Sequence, residues 1–138
     1  MLTRNLLVLK KVLLGMAISW TILIAVLCLI RFNNLPSITV QSADKYVHVT
    51  FHFFFTMFWG LYIYLKQNKI QFFQVIGILA LSIVYGILIE FLQETLTTTR
   101  HADVYDVLAN FAGALIASVS LLVIKTKFSK PLNNKSPD

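Results

Sequence analysis

Nine side chains that could bind a ligand or move a proton stand at three places along an otherwise apolar sequence. They are Asp44, Lys45, His48, Glu90, Gln93, Arg100, Asp103, Asp106 and Asn110. A carboxylate or an imidazole beside a substrate pocket can act in acid–base catalysis when its pKa is shifted towards neutrality. Lysine and arginine hold phosphate and carboxylate groups, arginine through two parallel hydrogen bonds. These residue types therefore suit recognition of a charged head group, or chemistry on one.

A pair of histidines raises the question of a metal ion. Asp44, His48 and His52 recur every four residues, which places them on one face of a helix. Two imidazoles one turn apart can share an ion, and Glu90 or Asp106 could complete its ligand shell. The pair lacks the intervening glutamate of the HExxH motif, however, and a histidine among aromatic residues is more often a hydrogen-bonded packing residue. We therefore predict no metal and no cofactor, with His48 and His52 as the less favoured metal alternative.

The elements that must position these residues are membrane-spanning helices. Hydrophobic residues make up 57% of the 138 residues and charged residues 13%, as is typical of a small membrane protein. A helix needs about 20 apolar residues, at ~1.5 Å each, to cross the ~30 Å hydrocarbon core. Four stretches are long enough, namely 12–30, 46–65, 72–92 and 104–124. We predict an all-α membrane protein, a four-transmembrane-helix bundle forming one domain over residues 12–124.

The first apolar stretch follows Arg4, Lys10 and Lys11, as the core of a secretory signal peptide would. It is longer than the roughly 7–15 apolar residues of such a core, and no small-x-small cleavage site follows it. We therefore predict a retained anchor, preceded by a cytoplasmic N-terminus over residues 1–11. Cys28 is the single cysteine, so neither an intramolecular disulfide nor a cysteine-rich metal site can form.

The basic residues divide unequally between the two sides of the predicted bundle. With the N-terminus inside, all lysines and arginines except Arg31, Lys45 and Arg100 lie on the inner side. The positive-inside rule therefore predicts that both termini are cytoplasmic. We expect the basic tail over residues 125–138 to be disordered and to face anionic lipid. The net charge of +6 is thus explained by topology, and we predict no nucleic-acid partner.

This topology places the nine polar side chains towards the outer ends of the second, third and fourth helices. In a purely structural interpretation they hold the helices together. Glu90 and Asp106 would each need a cation, because a buried ion destabilises a protein unless it is paired. Lys45 and Arg100 could supply those charges. Asp103 is well placed to cap the fourth helix, and an amide such as that of Asn110 can bridge two helices.

Three motifs carry these side chains in a fixed order. They read D-K-x-x-H from Asp44, E-x-x-Q from Glu90 and R-x-x-D-x-x-D-x-x-x-N-x-x-G from Arg100 to Gly113. Their order and spacing resemble the VanZ-like family, over about residues 40–120. One departure is the run Thr97–Thr99, where the family pattern leads us to expect a turn with proline or glycine. The resemblance implies a small multi-pass membrane protein in which the nine side chains are functional, without assigning roles to them.

The resemblance also implies a function, because the namesake of the family confers resistance to teicoplanin. Our first hypothesis is that the chain modulates cell-surface susceptibility to such lipoglycopeptides through an outward-facing polar cluster. The alternative is a membrane-embedded enzyme acting on a phosphorylated or glycosylated lipid head group, held by Lys45 and Arg100. A carrier or proton-relay role is less favoured, because the inner halves of the helices are almost uncharged. Expected partners are membrane lipid and a lipid-like or lipoglycopeptide ligand, and a homo-oligomer is compatible with so small a bundle.

Overall fold

The structure is a computed structural model that describes residues 2–29, 43–96 and 103–128. These ranges form four α-helices: α1 is Leu2–Leu29, α2 is Ala43–Gln67, α3 is Phe72–Leu96 and α4 is Val104–Phe128. The prediction of an all-α protein with four helices is confirmed. Arg31, Arg100 and the tail from residue 129 onward lie outside the described residues.

Three of the helices are long and apolar enough to cross a membrane. These candidate spans are Asn5–Leu29 in α1, Phe72–Leu96 in α3 and Val104–Thr126 in α4. α2 has a similar length but is less apolar, because two histidines and several tyrosines lie among its phenylalanines. The expectation of membrane-spanning helices is thus confirmed for three of the four predicted spans.

Two helices extend beyond the apolar stretches that predicted them. α1 already begins at Leu2 and so includes most of the segment predicted to precede the first span. α4 continues to Phe128, whereas we expected a disordered tail from residue 125. Both helices extend into the flanking polar segments because leucine, lysine and arginine are good helix formers.

α2 and α4 make the most extensive contact in the bundle, and α3 packs against both of them. α1 packs on α2 and α3, and over the described ranges it does not touch α4. Glycine permits the close approach of α2 and α4. A Cβ atom at Gly113 would collide with the main-chain carbonyl of Val49, and one at Gly60 would collide with Leu121.

The two ends of the bundle differ in composition. α2 and α3 are joined by residues 68–71, where Asn68 adopts the left-handed conformation with φ of 56°, which asparagine tolerates better than most residues. Next to this turn, Ile70, Val75, Ile78 and Leu121 form a buried cluster that we call the apolar end. At the opposite end, α2 and α4 begin where α1 and α3 finish, and the predicted polar side chains gather there. We call this the polar end.

Candidate functional site

His48 lies at the centre of the polar end and is only 3% exposed. Its Nδ1 atom is 3.1 Å from Asn110 Oδ1 and 3.9 Å from Glu90 Oε1. Its Nε2 atom is 3.8 Å from Asp44 Oδ1 and 3.7 Å from Asp106 Oδ2. One imidazole thus faces polar groups from all three of α2, α3 and α4. The structure brings together residues from all three sequence motifs around a single ring.

The contact with Asn110 determines which ring nitrogen carries a proton. An amide oxygen can only accept a hydrogen bond, so Nδ1 of His48 must be the protonated donor at 3.1 Å. Nε2 then points towards the carboxylates of Asp44 and Asp106, at distances beyond the hydrogen-bond range. His48 is therefore oriented by Asn110 and presents its second nitrogen to two acids.

Lys45 closes one side of the cluster. Its Nζ atom lies 3.2 Å from Asp103 Oδ2 and 3.5 Å from Asp106 Oδ1, and it also stands over the ring of Tyr105. The Lys45 side chain remains 40% exposed, so the ammonium group is at the rim of the cluster. The hydrogen bond to Asp103 raises the pKa of Lys45, in spite of an opposing effect of burial. Both partners of this ion pair therefore stay charged around neutral pH.

Asp103 caps α4, as the sequence predicts. Its Oδ1 atom accepts a hydrogen bond from the main-chain N–H of Tyr105 at 2.9 Å, the usual geometry of an N-cap. That bond, followed by the contact with Lys45, lowers the pKa of the Asp103 carboxyl group. Capping and ion pairing together account for Asp103, so its role at the start of α4 is structural.

Glu90 is the most isolated carboxylate of the cluster, being only 4% exposed. Its Oε2 atom accepts a long hydrogen bond of 3.5 Å from the main-chain N–H of Asp103. Its Oε1 atom has no hydrogen-bond partner in the described part of the chain, and the same is true of Asn110 Nδ2. A Cβ atom at position 86 would lie 2.8 Å from Asn110 Nδ2, so Gly86 provides the space for this amide.

The two histidines of α2 do not share a site. His52 lies deeper in the bundle, and its Nδ1 atom is 2.8 Å from Ser82 Oγ on α3. The described residues contain one group with the geometry of a metal site, and it combines His48 with Asp44 and Asp106 instead of His52. The histidine pair that the sequence left as a metal alternative is thus divided between two environments.

Gln93 does not contact His48 and instead faces α1. Gln93 donates a hydrogen bond of 3.0 Å to the main-chain carbonyl of Cys28, and so links the end of α3 to the end of α1. Arg100 lies outside the described ranges. Sequence reasoning missed that Ser82 and Gly86 belong to the polar surface of α3. Ser82, Gly86 and Glu90 follow one another at intervals of four residues, and this spacing was the signal that could have identified them.

The chain is similar to a known protein family. The VanZ/LLP1 family model matches residues 6–125, which is most of the chain and covers most or all of each helix. No curated protein and no solved structure matches the chain. The matched region contains every residue of the His48 cluster, and the protein belongs to the VanZ/LLP1 family.

Proposed function

We propose that this protein spans the membrane four times and binds the polar head group of a lipid-like amphiphile at its polar end. In this proposal the polar end faces the outside of the cell. By binding there, the protein lowers susceptibility to teicoplanin-type lipoglycopeptides. The observation that carries the proposal is the buried ring of His48, which faces acids and an amide from three helices.

The arrangement of α2 supports its role as the fourth span. Hydropathy averages over all sides of a helix, whereas lipid meets only the outward side. His48, His52 and Thr56 are all buried against other helices, while Val47 and Phe54 are exposed on the outside. The surface that α2 offers to lipid is therefore mostly apolar, and the exposed hydroxyl of Thr50 is hydrogen-bonded to the main-chain carbonyl of Tyr46.

The distribution of charge supports the orientation. The described lysines of α1, of the α2–α3 turn and of the end of α4 lie away from the polar end, and Lys45 is the described lysine within it. Because loops rich in lysine and arginine remain in the cytoplasm, this distribution favours a polar end on the opposite side.

The cost of the cluster supports a functional role. Ionisable groups are expensive to keep at membrane depth and usually mark a binding or transport site. Hydrogen bonding does not explain why an acid stands at position 90, because Glu90 Oε1 has no partner in the described residues. An apolar residue such as leucine would be less costly to bury there. A head group that carries a negative and a positive charge could contact Lys45 at the rim with the first and the buried acids behind it with the second.

The test compares teicoplanin susceptibility of cells expressing the wild type, Asp106→Asn and Glu90→Gln, with the membrane abundance of each variant measured in parallel. Both changes keep the shape of the side chain while removing its negative charge. We expect the wild type to protect cells and both variants to lose protection at unchanged abundance. Glu94→Gln, an exposed acid in the last turns of α3, is the matched control and should protect as the wild type does. Absence of protection by the wild type would refute the proposal.

A second candidate function, an enzyme acting on a lipid head group, is favoured by one observation. Asn110 fixes the proton on Nδ1 of His48 and leaves Nε2 facing the exposed side chain of Asp44. A buried imidazole held in one orientation beside carboxylates, one of which (Asp44) is exposed, is suited to general acid–base catalysis. A deletion strain whose lipid profile equals that of the parent would argue against this candidate, whereas accumulation of one phospholipid or glycolipid would support it.

A further inference from the structure

We propose that Asp44, His48 and Asp106 bind one divalent transition-metal ion within the polar end. One ligand atom from each side chain can be chosen so that all three lie within 4.8 Å of one another. The distances from His48 Nε2 to the two carboxylates, 3.8 and 3.7 Å, are too long for hydrogen bonds. Ligands that share an ion at about 2.0–2.2 Å from each of them stand roughly 3–4 Å apart, so the spacing suits a common ion.

The second nitrogen of His48 is arranged as in a metal-binding histidine. Such a histidine almost always donates its other ring N–H to an oxygen, which fixes its orientation. Here Nδ1 donates to Asn110 Oδ1 at 3.1 Å. The lone pair on Nε2 then points towards the oxygens of Asp44 and Asp106. Three electron-rich atoms facing one another repel, and a cation between them would convert this repulsion into attraction.

The charge balance of the polar end independently points to a cation. Within the described ranges, the cluster combines the carboxylates of Asp44, Glu90, Asp103 and Asp106 with a single ammonium group, that of Lys45. Lys45 contacts two of these acids, and the side chain of Glu90, nine-tenths buried beside His48, has an oxygen without a partner. A divalent ion bound there would offset part of the negative charge of these four carboxylates.

Asp106 can form an ion pair with Lys45 and bind the ion at the same time, because its two oxygens have different neighbours. Oδ1 is 3.5 Å from Lys45 Nζ, whereas Oδ2 faces His48. Binding an ion at Oδ2 therefore does not require the ion pair with Lys45 to break.

The donor set indicates the class of ion. One imidazole nitrogen and two carboxylate oxygens suit Zn²⁺ or Mn²⁺ better than the softer ions that prefer sulfur. Three protein ligands leave at least one coordination position free, and Asp44, whose side chain is 53% exposed, opens the site to the surface. The free position could take a phosphate or carboxylate oxygen of a head group. This role rests on the proposed function, but metal binding can be measured without any amphiphile.

The experiment uses the full-length chain, purified into lipid nanodiscs, stripped with a chelator and titrated with Co²⁺ and then Zn²⁺. We expect one ion per chain, a visible absorption band from bound Co²⁺ and its loss on addition of Zn²⁺. Asp44→Asn should weaken binding by more than about tenfold, by analogy with the 10–100-fold effect of outer-shell changes. Because Asp44 is largely exposed, this variant should fold normally. Glu94→Gln, an acid near the same end but outside the cluster, should bind as the wild type does.

The outcomes separate the metal site from the proposed function. No saturable binding to the wild type, or equal weakening in Asp44→Asn and Glu94→Gln, would overturn the metal site and leave head-group binding intact. Stoichiometric binding that depends on Asp44, in a protein that gives no protection from teicoplanin, would support the metal site and refute the proposed function. Asn110→Ala provides a second test of the metal site. This variant removes the oxygen that orients His48, so metal binding should weaken about 10–100-fold.

Discussion

Both ends of the bundle bury side chains between helices, but one end buries apolar side chains and the other buries polar ones. At the apolar end, Ile70, Val75 and Leu121 are each at most 2% exposed and meet other apolar side chains. At the polar end, His48 and Glu90 are almost equally buried but face one another at distances too long for hydrogen bonds. The comparison teaches that burial alone does not distinguish a core from a site. The site is distinguished by buried carboxylates that come from different helices and face one imidazole.

The largest loss of stability should come from Gly113→Ala, which affects the contact between α2 and α4 that runs through both ends of the bundle. The new methyl group would collide with the Val49 carbonyl, so α2 and α4 would have to move apart. We expect a loss of about 3 kcal/mol in stability, the upper part of the usual range for overpacking. Thermal unfolding in nanodiscs measures this loss. Gly77→Ala is the control, since a Cβ there meets nothing within 4 Å, and unchanged stability of Gly113→Ala would contradict the predicted contact.

Leu121→Ala should damage the apolar end without affecting the site. Leu121 is 1% exposed and packs against Gly60 across the α2–α4 contact. We expect a loss of about 2 kcal/mol, the low end for such a truncation, because the unfolded segment in a bilayer is also surrounded by apolar material. Protection per protein molecule should be unchanged when susceptibility is normalised to membrane abundance. Loss of protection at equal abundance would show that the two ends are functionally coupled.

Glu90→Gln should have the opposite profile, with loss of function and no loss of stability. The buried carboxylate of Glu90 uses its hydrogen-bonding capacity poorly, and a neutral amide is less costly to bury. We expect the free energy of unfolding to stay the same or to rise by about 1 kcal/mol, as is common when a functional site is neutralised. A marked drop in unfolding temperature would instead identify Glu90 as a structural link between helices.

The smallest effect should follow from Lys45→Met. Lys45 and Asp103 are each about 40% exposed, and water screens an exposed ion pair, so the pair contributes little to stability. We therefore expect only a small loss of stability, and thermal unfolding beside Lys66→Met, a lysine near the opposite end, provides the comparison. A loss several times larger would mean that Lys45 neutralises more of the cluster than its two contacts indicate.

The fold was largely predictable because it depends on a strong signal. Long apolar stretches separated by polar segments predict helices of the right number and order, and three of them meet the requirements for a span. α2 is the instructive case. Its His48 and His52 lower its average hydropathy, yet in the folded protein both are buried by neighbouring helices. Composition is a property of one helix, whereas burial depends on its neighbours.

The candidate site was predictable as a set of residues but not as a geometry. Helical spacing grouped Asp44, His48 and His52 on one face of α2, and in the structure Asp44 lies beside His48 whereas His52 faces Ser82. The spacing could not show that Asn110 would orient His48, or that Gln93 would turn away towards the Cys28 carbonyl. Those outcomes depend on how far each helix is rotated about its axis. Small residues such as Gly86 and Gly113 set that rotation through contacts between elements distant in sequence.

The tight turn at Asn68 has a consequence for how the protein enters the membrane during synthesis. Only residues 68–71 separate α2 from α3, so α2 cannot remain in water once the strongly apolar α3 has crossed. On the proposed topology the two therefore insert as one helical hairpin, in which Ser82 already provides a partner for His52. On that topology the less apolar α2 enters the bilayer together with the apolar α3 that follows it, and the surroundings of His48 are completed when α4 inserts after them.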